Sequence, residues 1–247
     1  MASNGISVPD PSAICLVIFL HGSEAEQDQD HCVPKVSPEG TVPPVIGNLS
    51  GEVVASKRIL IYAPCSRVPA GLRGAPDEYK VRQRAGELET LLEQLQDAGY
   101  LRRNIFLTGH SAGAWIALTT LAENRSSCAG VIAFAPAFAG RQSGQAETNP
   151  FWVSERASQV SVLQGASSLP SLIYAFKGDE FESIDALGKI FETIPGVELV
   201  KTGSRRAEMY KGATAGPMYH NGAYHAALMR QKARILKFIE ARINSTP

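Results

Sequence analysis

A chain of 247 residues that is 44% hydrophobic and 19% charged has the composition of a folded protein, which excludes a disordered or low-complexity one. Its 24 basic residues balance 24 acidic ones, so charge draws it neither to nucleic acid nor to an anionic membrane. The longest apolar run, 14–20, is far short of the roughly 20 residues that cross a bilayer, and it lacks the flanks of a signal peptide.

That first run, like 59–63, 105–108, 131–135, 172–176 and 197–200, is mostly apolar, about the length of a buried strand and without regular polar alternation. Strands covered on both faces read this way, which is the habit of parallel sheets. After the first strand, 23–49 holds Pro34, Pro38, Pro43 and Pro44 and reads as a long loop. Beyond the second strand, Val81, Ala85, Leu88, Leu92 and Leu95 mark one face of a helix over 78–98, with Gly99 as its stop. A third strand at 105–108 runs almost directly into a helix at 112–123. Between the fourth and fifth strands an insertion, 137–170, has room for a small lid and includes Phe151 and Trp152. Leu187, Ile190, Phe191 and Ile194 place a helix at 184–194, closed by Pro195-Gly196. A long segment rich in small residues, 203–220, separates the last strand from a final helix at 226–243. Alternating strands and helices predict one α/β domain over 1–247, with a doubly wound, mostly parallel sheet of about six strands and helices on both faces.

The four cysteines, Cys15, Cys32, Cys65 and Cys128, form no C-x-x-C pair, so neither a zinc site nor a redox motif is read from them. Reduced thiols are expected, with a Cys32–Cys65 bridge as the alternative. A cytoplasmic chain follows from the same reading.

Gly109-His110-Ser111-Ala112-Gly113 is a G-x-S-x-G. Random placement of this composition yields such a pentapeptide roughly one time in six, so its context decides its meaning. Here a strand ends at Gly109 and a helix begins at Ala112, which leaves no room for a loop. The chain must turn sharply at Ser111, and small residues are needed where strand and helix pass so closely. The helix start directs N–H groups and its positive dipole end toward whatever bonds to Ser111.

On this elbow and the element pattern, the chain resembles an α/β hydrolase, nearest the small carboxylesterase and dienelactone-hydrolase types. The resemblance implies a serine hydrolase with an acid and then a histidine following the serine along the chain. It also implies a sheet trimmed at its N-terminal edge, because only thirteen residues precede Ile14. His21-Gly22-Ser23 is similar to the family's turn after the first strand. By that likeness the backbone N–H of Ser23 pairs with that of Ala112 as an oxyanion hole, and His21 braces the turn. Asp179 falls where the family has its acid, with Glu180 and Glu182 close by as alternatives. Of five histidines, His21 and His110 belong to their turns and His31 precedes the acid, which leaves His220 and His225. Asn221-Gly222-Ala223-Tyr224-His225 resembles the family's Gly-x-x-His before the last helix, and this favours His225.

The expected reaction is cleavage of a small to medium carboxylic ester through an acyl-enzyme on Ser111, with no metal or organic cofactor. A thioester or lactone fits nearly as well, and a non-hydrolytic, ligand-binding member of the fold is the competing class. Residues expected to border a small-molecule acyl substrate are His21, Gly22 and His110 at the turns, Arg67 (or Arg73) past the second strand, and Trp152 in the insertion.

Overall fold

The computed structural model describes residues 10–22, 42–64, 66, 80–124, 127–138, 149–202 and 220–245. Its strands are β1 (Ile14–Leu20), β2 (Val53–Val54), β3 (Lys57–Tyr62), β4 (Ile105–His110), β5 (Gly130–Phe134), β6 (Ser171–Phe176) and β7 (Val197–Thr202). Its helices are α1 (Pro44–Gly47), α2 (Lys80–Asp97), α3 (Ala112–Glu123), α4 (Pro150–Gln164), α5 (Ile184–Phe191) and α6 (Lys232–Ser245). The seven strands form one sheet in the order β2-β3-β1-β4-β5-β6-β7, and every pair is parallel except β2 with β3.

The apolar strands have a direct cause. Successive side chains of a strand point to opposite faces, and here both faces are covered. From β1, Ile14, Leu16, Ile18 and Leu20 enter one core with residues of α2, α3 and α5, such as Leu88, Trp115 and Phe191. Cys15, Val17 and Phe19 enter a second core with Ile46 of α1 and Ile235, Ile239 and Ile243 of α6. All seven β1 positions are buried. Cys15 therefore acts as a small hydrophobe, its thiol pushed up to about 12 by burial.

Chain order supplies the site. From β1 the chain first builds outward to β3, then returns to lay β4 on the other side of β1, with Leu20 opposite Gly109 at the strand ends. This reversal opens a crevice at the carboxyl ends of β1 and β4, where open α/β sheets bind ligands.

Four elements differ from the sequence reading, the first being α1, a short helix inside the segment 23–49 read as a loop. β2 adds a seventh strand, turned onto β3 through Ala55 and Ser56 at φ 46° and 63°. Neither residue is the glycine or asparagine that announces such a turn. The insertion contains a 15-residue helix, α4, begun by Asn149, whose side chain accepts from the Phe151 N–H, and by Pro150 at its first position. Only Glu155 and Leu163 of α4 are fully buried, so it has no strong apolar stripe to read. The last helix begins later than expected, at Lys232, after a 3-10 stretch, Ala226–Gln231.

Candidate active site

Ser111 joins β4 to α3 with φ 55° and ψ −125°. A side-chain-bearing residue rarely adopts positive φ, and the surroundings must hold it there. The Ser111 N–H donates to the Phe134 carbonyl at 3.0 Å, while its own carbonyl accepts from Trp115 at 3.1 Å and Ala137 at 3.2 Å. Bonds to β5, α3 and the segment after β5 thus clamp the turn on three sides. The flanking glycines are required by space. A Cβ on Gly109 would sit 2.5 Å from the Gly113 carbonyl carbon, and one on Gly113 would collide with the Leu20 and His21 carbonyls at the end of β1.

Gly22 brings the β1 turn against the serine. A Cβ there would lie 3.2 Å from the Ser111 Cβ and 3.3 Å from His110 Nδ1. The turn is braced from within and from behind: His21 Nδ1–H donates to the Gly22 carbonyl at 2.7 Å, and buried Arg84 of α2 donates to the His21 carbonyl at 2.6 Å. Ser23, the expected second oxyanion donor, lies outside the described residues, as do Arg67, Arg73, His31 and the Cys32–Cys65 pair.

Asp179 follows β6 across Gly178, which takes φ 84°. Its Oδ1 accepts from the Phe181 N–H at 2.8 Å, and its side chain is fully enclosed. Both carboxylate oxygens meet His220 Nδ1, at 3.1 and 3.0 Å. The neighbouring acids are elsewhere: Glu182 is gripped at both oxygens by Arg156, and Glu180 is exposed.

The expectation was for His225, but the histidine that the structure pairs with Asp179 is His220. His220 opens a 3-10 segment, His220–Tyr224, that delivers its ring to Asp179. His225 instead caps the next segment, its Nδ1 accepting from the Ala227 N–H at 3.2 Å. Gly222, which suggested a Gly-x-x-His, answers to packing: a Cβ there would strike the Phe176 ring. No motif around His220 announces it; the fold alone brings it to the acid.

The His220 ring lies between Phe181, at 4.3 Å between centroids, and His110, at 4.9 Å. His110 Nε2–H donates to the His220 carbonyl at 2.9 Å, and Tyr224 meets the His110 ring edge-on. Burial, and next the nearby His220, hold His110 down to about 4. Trp152 packs on Phe151 and Phe138, and Phe138 on Trp115, so Trp152 ties α4 to the core. A groove of about 800 Å³ runs between α4 and the loop after β6, lined by Phe138, Val153, Val160 and Phe181 and reaching Asp179. Among the described residues no cluster of three or more His, Cys, Asp or Glu is placed to hold a metal ion. None of the helices described is long and apolar enough to cross a membrane.

A strained serine between strand and helix, at the reversal point of a parallel sheet, with a buried aspartate paired to a histidine that packs on the serine's neighbour His110, belongs to an α/β hydrolase. The sequence model of the family described as "Serine aminopeptidase, S33" matches residues 70–246, and the chain belongs to that family. No curated protein matches it. Among solved structures it is similar to Est1E from Butyrivibrio proteoclasticus with ferulic acid bound, at 14% identity over 96% of this chain and 92% of that one, with a TM-score of 0.62. It is similar also to a monoacylglycerol lipase from Paleococcus ferrophilus, at 14% identity over 94% and 96% of the two chains and a TM-score of 0.60. A thermophilic esterase from Thermogutta terrifontis shares 14% identity over 94% of this chain and 82% of its own, with a TM-score of 0.55. At such identities the likeness is one of fold.

Proposed function

We propose that the protein is a serine hydrolase that cleaves a small to medium carboxylic ester through an acyl-enzyme on Ser111. The observation that carries this reading is the strained Ser111 turn, with the Asp179–His220 pair reaching the same crevice through His110. A serine hydroxyl is a weak nucleophile at neutral pH and needs a base that is itself oriented. In the proposed reaction His220 takes the Ser111 proton as Oγ attacks the acyl carbonyl. Asp179 stays ionised, holds the Nδ1–H tautomer and stabilises the imidazolium that forms. The Ala112 N–H, one of the unpaired donors at the start of α3, faces the tetrahedral oxyanion. The N–H of Ser23 is proposed as its partner. His220 then gives the proton to the leaving alcohol, and water releases the acid by the same steps.

Esters are favoured because the similar folds named above include an esterase and a monoacylglycerol lipase. The groove beside Asp179, in which Phe138, Val153, Val160 and Phe181 stand among charged and polar side chains, offers room for part of such a substrate. The family's description names an aminopeptidase and so supplies the second reading, amide cleavage.

A fluorophosphonate probe and a p-nitrophenyl ester series of increasing acyl length test the proposal, with amino-acid p-nitroanilides alongside. The expected result is labelling and ester turnover that both vanish in Ser111→Ala. Equal labelling of wild type and Ser111→Ala refutes the serine mechanism. Faster turnover of the anilides selects the second reading, and binding without product release selects a ligand-binding protein.

A further inference from the structure

We infer that His110 is a positioning residue: its Nε2–H, donated to the main-chain carbonyl of His220, sets where the base stands relative to Ser111. The inference rests on the reading of Ser111, His220 and Asp179 as a hydrolytic site.

His220 is held at two points. Asp179 grips its ring at Nδ1, which fixes the ring's tautomer and tilt. That grip comes from the loop after β6, and β5 lies between β6 and the strand that carries the serine. A carboxylate two strands away does not by itself register the base against the nucleophile. The second hold does. His110 is the last residue of β4 and is bonded covalently to Ser111, and its ring donates at 2.9 Å to the His220 carbonyl. One residue thus links the main chain of the base to the main chain of the nucleophile.

The surroundings give His110 little freedom. Its ring is buried, the His220 ring lies 4.9 Å away, and Tyr224 closes its edge at 5.2 Å. A Cβ on Gly22 would stand 3.3 Å from its Nδ1, a tight approach. The same residue therefore lies against the Gly22 turn, precedes the nucleophile in the chain and holds the base. Burial also keeps it neutral, so no cation stands beside His220 when imidazolium forms there. A residue that served packing alone would need no donor, and the one it has is spent on the base.

The test compares His110→Gln, His110→Asn and His110→Phe with wild type and with His220→Ala. The readouts are kcat and KM on a p-nitrophenyl ester, the rate of fluorophosphonate labelling, and the unfolding midpoint. A glutamine amide reaches the place of Nε2, an asparagine amide falls short, and phenylalanine fills the volume with no donor. A misplacement of about 1 Å lowers rates on the order of 100-fold. The expected result is a kcat about 10- to 100-fold below wild type for Asn and Phe, with KM little changed and labelling slowed in step. Gln restores kcat to within a few-fold of wild type. Equal kcat for Gln and Asn overturns the inference, as does wild-type kcat in Phe. The Gln and Asn pair decides the matter even if Phe does not fold. Should His220→Ala remain active, the reading of His220 as the base fails first; an inactive His220→Ala with an unaffected Asn variant overturns only the role of His110.

Discussion

Adding one methyl group at Gly113 should disable the site while leaving the fold recognisable. The new Cβ would stand 2.6 Å from the Leu20 carbonyl carbon and closer still to its oxygen, where ordinary contact begins at 3.4 Å. These are backbone atoms of β1 and of the Gly22 turn, and no rotamer change relieves the overlap. The start of α3 and the end of β1 must part by about 1 Å, which costs about 1–3 kcal/mol as an overpacked contact. The same displacement separates the two sides of the proposed oxyanion site, so kcat should fall on the order of 100-fold or more. Gly86→Ala is the control. It lies in α2 with nothing within 4 Å of the added Cβ, and removing a glycine from a helix interior is worth about 0.5–1 kcal/mol of stability. Urea unfolding and p-nitrophenyl butyrate turnover measure both variants. A Gly113→Ala protein with wild-type turnover would mean that the strand–helix approach does not hold the site together.

Three further outcomes follow from the same geometry. Ser111→Gly should abolish turnover yet stabilise the fold by about 1 kcal/mol, because glycine adopts φ 55° without strain; an unchanged or lower unfolding free energy counts against strain at the turn. Asp179→Asn should keep the structure and lower kcat by about 1,000- to 10,000-fold through the wrong His220 tautomer, whereas Glu182→Gln, which alters a carboxylate held by Arg156 and not one on His220, should leave probe labelling intact. Finally, His110 is held neutral with its value lowered from 6.5 to about 4. The unfolded chain therefore binds this proton first as pH falls, and stability that is complete above about 6.5 drains away toward 4, by about 3 kcal/mol in all. Denaturant titrations over that range should show the slope in wild type and a shallower one in His110→Gln; identical slopes would show that His110 is not the group responsible.

The parts legible in the sequence are those whose cause is local. The central strands β1, β4, β5 and β6 announce themselves as apolar runs because both faces of the sheet are covered there, and the apolar stripe of α2 shows at three-to-four spacing. The elbow is legible because a strand cannot pass into a helix without small residues at the join. The edge strand β2 was hidden by its brevity and by a turn made of Ala55 and Ser56, and α4 by its lack of a buried face. Its one signal, the Asn149-Pro150 start, sits inside a segment that otherwise reads as an insertion.

By itself the sequence determined the class of fold, the position of Ser111 and the loop that bears Asp179, since each depends on residues adjacent along the chain. Only the tertiary structure decided between two histidines five residues apart. His220 and His225 look alike to any rule of spacing, and a glycine in the right place favoured His225. What separates them is where each backbone ends up. The His220 carbonyl meets His110 and its ring meets Asp179, while the His225 ring serves the turn that follows it. Contacts between residues 41 and 110 positions apart in the chain are set by how strands are ordered in the sheet, and no local pattern encodes that order.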